Sequence, residues 1–184
     1  MKLIVAMVAA APLALAIPAA AQDVPREAVE IDYRGFAELT DEVAEIRAAR
    51  LLGAEAFFAR AAESGSLILD TRSAQAFQLG HLEGAVNLPF SDFTEETLRE
   101  VIGEDKGRTI LIYCNNNFSD DVVPVALKKA PLALNIPTFI NLVGYGYTNV
   151  WELGDTVAIA DVGWVSPLTE QLAATSNEKA ALAQ

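Results

Sequence analysis

The sequence predicts an α/β protein built on a central, mostly parallel five-stranded sheet with helices on both faces. Three observations lead there. Short β-rich runs alternate along the chain with stretches of helical periodicity. Two of those runs are continuously apolar, as strands covered on both faces tend to be. Turn-forming residues separate the segments.

The elements follow in order. Residues 1–21 precede the domain: Lys2 is the first charge, an apolar run covers residues 3–17, and Pro18 leads into Ala19-Ala20-Ala21 ahead of Gln22. That is the three-part pattern of a secretory signal peptide. The run is short for a bilayer span and is interrupted by Pro12. A periplasmic or secreted protein is expected, with no membrane attachment after cleavage. Residues 22–49 read as a helical N-terminal extension, with Phe36, Leu39, Val43 and Ile46 on one face. Residues 50–165 form the domain, and residues 166–184 a polar, alanine-rich tail.

Within the domain, Arg50-Leu51-Leu52 reads as a short edge strand and residues 54–63 as a helix. Leu67-Ile68-Leu69, Ala85-Val86-Asn87-Leu88 and Thr109-Ile110-Leu111-Ile112-Tyr113 read as strands. Asp92 and Glu95 have the D-x-x-E spacing of a capping box that opens a helix toward Ile102. A helix is expected from about Asp120 to Ala130, with Pro124 in its first turn and Pro131 ending it. A second short helix is read within residues 132–143 despite Pro137. Thr148-Asn149-Val150-Trp151, after the turn-prone Gly144-Tyr145-Gly146, supplies the last strand.

Composition narrows the function. The chain has 184 residues, a formal net charge of −12, one Cys and one His. So acidic a chain repels nucleic acid and anionic lipid. One cysteine cannot close an internal disulfide, and one His with one Cys makes no zinc site of the usual kind. No metal and no cofactor are expected.

Cys114 ends the central apolar run and begins a polar loop, at the carboxyl end of a strand, where open α/β sheets bind ligands. A chain turning there aims backbone N–H groups, and then a helix N-terminus, at the sulfur, and lowers the thiol pKa. The competing reading is a small buried hydrophobe closing a core strand. Asp70-Thr71-Arg72 ends another strand in the same way, and FQLGHLEGAVNLP (residues 77–89) follows it.

These segments together resemble the rhodanese-like domains. The resemblance runs from strand-D-x-R through G-H-x-x-G-A-x-N-x-P to a strand ending in Y-C, then to G-Y-x-N-V at Gly146–Val150, and spans residues 51–153. It implies a sulfurtransferase that carries sulfane sulfur as a persulfide on Cys114 and works by a ping-pong mechanism. Its partners would be a small sulfur donor such as thiosulfate and a cyanide or thiol acceptor, including a protein thiol. The implied active loop is Asn115, Asn116, Asn117, Phe118, Ser119 and Asp120, with Asp70 and Arg72 bracing it. His81 matches a structural position in the motif rather than a general base.

The chain departs from the family in its loop. Efficient members carry glycine near the third position after Cys and often a basic residue. Here Asn117 stands at that position, since Asn tolerates the left-handed conformation, and no cation follows. Asp120 and Asp121 are expected at a helix N-terminus, where they repel a dianion, so weak thiosulfate activity and a neutral or organic persulfide donor are expected. Asp120 also occupies the Arg position of the C-x5-R phosphatase loop, which excludes that chemistry. The sequon Asn117-Phe118-Ser119 reads as accidental, because a glycan would block the loop. The alternative function is a catalytically weak module for partner binding or thiol redox sensing. Its surface would be residues 130–147, with Phe139, Leu142, Tyr145 and Tyr147.

Overall fold

The continuous apolar runs do form the centre of a sheet. The structure, a computed structural model, describes residues 30–167. Strands β1 (Leu51–Leu52), β2 (Leu67–Asp70), β4 (Val86–Asn87), β5 (Ile110–Tyr113) and β6 (Val150–Leu153) pair in the order β1-β6-β5-β2-β4, parallel throughout. A separate antiparallel pair joins β3 (His81–Leu82) to β7 (Trp164–Val165). The predicted five-stranded α/β architecture is the observed one. From Arg34 onward the chain forms one compact unit; of the unit that precedes it, only residues 30–33 are described.

Strand periodicity divides the core into two layers. Leu67, Leu69, Ile110, Ile112 and Val150 face one side, where Val43 of α1 (Tyr33–Ala48), Leu98 and Ile102 of α4 (Glu95–Ile102), and Phe139, Ile140 and Leu142 of α5 (Asn135–Gly144) cover them. Ile68, Leu111, Tyr113 and Leu153 face the other side, against Phe57 of α2 (Ala54–Ala61). α3 (Ala74–Leu79), which periodicity did not reveal, is a short helix capped by the Ser73 hydroxyl on the Ala76 N–H.

Two local expectations are corrected. α4 is capped by Thr94 and Thr97, which exchange side-chain and backbone hydrogen bonds, whereas Asp92 lies in the preceding 3-10 turn. The helix expected at residues 120–130 does not form. Asp121 adopts a left-handed φ of 43° and Pro124 lacks an N–H. The segment's polar groups bond outside it instead: the Ala126 and Lys128 carbonyls accept from Asn115 and Asn116, and Asp120 accepts from the Ile159 N–H. Buried Val125 anchors the loop. The helix that follows Cys114 is therefore α5, which accommodates Pro137 in its first turn, where no intrahelical N–H bond is lost.

Much of the apolar stretch 130–147 joins the core, although Leu132 is exposed. Phe139, Leu142 and Tyr147 are fully buried and Tyr145 packs at the edge of the same layer. The signal peptide read at residues 1–21, the first part of the extension and most of the tail lie outside the described residues. Among the described residues, no helix is long and apolar enough to cross a membrane, and no cluster of His, Cys, Asp and Glu could hold a metal.

Gly80, between α3 and β3, has no room for a side chain: an added Cβ would stand 2.4 Å from the indole nitrogen of Trp164. Gly80→Ala should therefore push Trp164 off β3 and cost about 1–3 kcal/mol, measurable by urea unfolding, whereas Ala substitution at the open-surface Glu96 should cost under about 0.5 kcal/mol.

Candidate active site

The parallel register sets Asp70 opposite Tyr113 on one face of the sheet. The Tyr113 hydroxyl donates to Asp70 Oδ2 at 2.5 Å and accepts the Leu82 N–H at 3.1 Å. Arg72 folds back so that Nε and Nη2 reach the Asp70 carboxylate at 3.0 and 2.6 Å. Nη2 also donates to the Gly80 carbonyl at 2.7 Å, and Nη1 to Asn115 Oδ1 at 3.2 Å. Burial works against the Arg72 charge, but hydrogen bonds and charge from Asp70 outweigh it, and its pKa is raised. Burial, then the neighbouring Asp70 charge, pushes the Tyr113 phenol well above its usual value.

Asn87 closes the same corner by donating to the Asp70 and Arg72 carbonyls. His81 donates Nδ1–H to the Phe77 carbonyl and stacks on the Phe77 ring at 3.5 Å. It does not border the cavity over the cysteine, so it is structural.

Cys114 sits one residue beyond β5, 1% exposed, at the floor of a cavity of about 250 Å³. Backbone N–H groups of Asn135, Asn116 and Leu134 favour the anionic form of its sulfur. The cradle thus comes from two segments about twenty residues apart, the 3-10 turn Asn115–Asn117 and the start of α5. Asn117 binds them together: its Oδ1 accepts the Cys114 N–H at 2.9 Å and Asn135 Nδ2 at 3.0 Å, while its Nδ2 donates to the Leu153 carbonyl. Asn117 is not left-handed; that conformation falls to Asp121. The cradle also fails to lower the thiol pKa as expected. Burial pushes Cys114 up, and the three N–H groups only partly offset it.

The predicted site residues divide. Asn115, Asn116, Arg72 and Cys114 border the cavity, together with Ser73, Ala76, Leu134 and Lys128. Phe118 is buried against Tyr113 and Trp164, and Ser119 bonds to Val157. Asp120 and Asp121 do not border the cavity and start no helix; their carboxylates take the Ile159 and Leu127 N–H groups. Asp120 and Asp121 therefore place no carboxylate at a helix N-terminus or on the cavity wall. Lys128 is the basic residue that seemed missing, brought in by paired hydrogen bonds between its backbone and Asn116. Sequence reading also missed Tyr113, Asn135 and Glu152, whose only signal was a polar residue at a buried strand or helix position.

The rhodanese-like domain family model matches residues 54–158. Comparison with curated proteins gives no significant match. Among solved structures, the chain is similar to the rhodanese-like domain of the Alr3790 protein from Anabaena sp. at 19% identity and a TM-score of 0.46, covering 65% of this chain and 81% of that one. It is similar to the BH2092 protein from Bacillus halodurans at 13% identity and a TM-score of 0.42, covering 72% and 88%.

Two outcomes follow. Asp70→Ala leaves the Arg72 charge buried and alone, and should cost about 3–5 kcal/mol in denaturant unfolding. Alkylation of Cys114 should rise with pH throughout the neutral range, with its midpoint above the ordinary thiol value of about 8.5; a midpoint below that value would show an activated thiol.

Proposed function

This chain belongs to the rhodanese-like domain family, and on that premise we propose that it is a sulfurtransferase that carries sulfane sulfur on Cys114. The observation that carries the reading is the placement of Cys114 at the carboxyl end of β5, lining a small cavity, with the Asn116, Leu134 and Asn135 backbone N–H groups favouring an anionic sulfur. N–H groups so placed hold an anionic sulfur without a side-chain cation. The Cys114 thiolate attacks the outer sulfur of a donor such as thiosulfate, the donor S–S bond breaks, and sulfite leaves with the electron pair. A cyanide or thiol acceptor then attacks the outer sulfur of the persulfide, breaks the new S–S bond and returns the thiolate. Lys128 adds positive charge to the cavity wall, whereas the Arg72 charge is balanced by Asp70.

Turnover with thiosulfate is weak at neutral pH because little thiolate exists in a buried thiol of raised pKa, not because Asp120 and Asp121 repel the donor. The redox-sensing alternative fits less well. Oxidation to a sulfenic acid follows thiolate character and exposure, and Cys114 has little of either. Of the four side chains named for that docking surface, Phe139, Leu142 and Tyr147 are buried. The reading further takes the mature protein to be exported, from the signal-peptide pattern of residues 1–21, and its acceptor to be a small molecule or a protein thiol.

Incubating the purified protein with a sulfane-sulfur donor should add the mass of one sulfur atom to the Cys114 peptide, and cyanide should remove it as thiocyanate. Cys114→Ser should abolish both while remaining folded. Retained transfer in that variant refutes the proposal.

A further inference from the structure

Glu152 lies on β6, an interior strand of the sheet, yet is a carboxylate 4% exposed. In β6 it faces the same side as Val150, opposite Ile112 in register, within the layer covered by α1 and α5. A buried carboxylate loses several kcal/mol of hydration and persists only when paired. Its cation comes from the N-terminal extension: Arg47, in the last turn of α1, donates Nε and Nη2 to the two carboxylate oxygens. Glu152 Oε1 also accepts Asn135 Nδ2 at 3.1 Å. That same Nδ2 donates to Asn117 Oδ1, which accepts the Cys114 N–H. Asn135 therefore serves two ends at once, with its backbone N–H on the sulfur and its side chain on Glu152.

We propose that the Arg47–Glu152 ion pair is a positioning element for Cys114, through which helix α1 holds both halves of the sulfur cradle and sets the electric field at the sulfur. The inference rests on the proposed use of Cys114 and names residues that control it without touching substrate. The charged groups around the sulfur are Glu152 from β6, Arg47 behind it from α1, and Lys128 and the Asp70–Arg72 pair at the cavity. α5 contributes no ionisable side chain. Glu152 disfavours the thiolate, and Arg47 compensates part of that charge. A cavity of about 380 Å³ between α1 and α5 borders Arg47. Shortening that side chain therefore enlarges existing space rather than opening a void in packed core.

The two partners consequently act on the cysteine with opposite signs, which a purely structural brace would not do. In the full chain, Glu152→Gln keeps an acceptor for Asn135 and removes the charge. Alkylation of Cys114 at neutral pH should rise by about threefold or more. Arg47→Gln leaves the carboxylate uncompensated. Read at a pH alkaline enough to keep the unpaired Glu152 ionised, the rate should fall by a similar factor, whereas at neutral pH its protonation brings the rate toward that of Glu152→Gln. The double variant should match Glu152→Gln, since no carboxylate remains to compensate. Arg47→Lys, which restores the charge without the paired geometry, should return the rate toward that of the native protein. At that alkaline pH, single variants that shift the rate in the same direction, or folded variants with native rates, overturn the proposal. Where Arg47→Gln does not fold, Glu152→Gln and the double variant decide: faster alkylation in both supports it, native rates in both overturn it. These rates are read on the thiol itself. Failure of the native protein to form a persulfide would count against sulfur transfer alone.

Discussion

The buried pair Asp70–Arg72 is the constraint on which the site depends. Its side chains are 0% and 3% exposed, so neither charge could remain without the other. The pair satisfies more than itself. Asp70 takes the Tyr113 hydroxyl from the neighbouring strand, and Arg72 ties the Gly80 carbonyl and the Asn115 side chain to the end of β2. Three chain segments are thereby fixed around the carboxyl edge of the sheet, with the cysteine among them. The motif residues that follow serve the same corner: Asn87 bonds its carbonyls, and Gly80 makes room for Trp164.

A second constraint opposes the first in its effect on chemistry. The closer the cradle wraps the sulfur, the better it holds an anion and the more water it excludes. At Cys114 the balance falls on the side of desolvation, which pushes the thiol pKa up. Cavity and cradle thus suit a sulfur species held by hydrogen bonds more than a permanently ionised nucleophile. The asparagines divide the labour: Asn115 and Asn116 pin the loop that brings Lys128 to the cavity, while Asn117 joins the cysteine to α5 and β6.

What was legible in the sequence followed from burial. β2 and β5 are covered on both faces, so all eight of their positions are buried and mostly apolar, and the pattern survives without its neighbours. Cys114, Asp70 and Arg72 stood at strand ends and in recognisable spacings. The failures have a common cause. A helix was expected at residues 120–130, with Pro124 in its first turn and Pro131 at its end, but Asn115, Asn116 and Ile159 offered the segment's polar groups partners from elsewhere in the chain. α3, β3 and β7 are too short to carry a period. Asp120 and Asp121 were adjacent in sequence to the cysteine and absent from its cavity, whereas Lys128 was distant and present.

By itself, the sequence determined the α/β order of elements, the family, the nucleophilic candidate and the ion pair that braces it. All of these reside in local pattern: apolar runs, turn residues and motif spacing. The tertiary structure alone decided which N–H groups meet the sulfur, which charges lie near it and whether the thiol is ionised at rest. Those depend on segments far apart in the chain, α1, β6, the 119–134 loop and the start of α5, being brought within hydrogen-bond reach and out of water. Hydrogen bonding and desolvation act through space, and no spacing along the chain records that proximity.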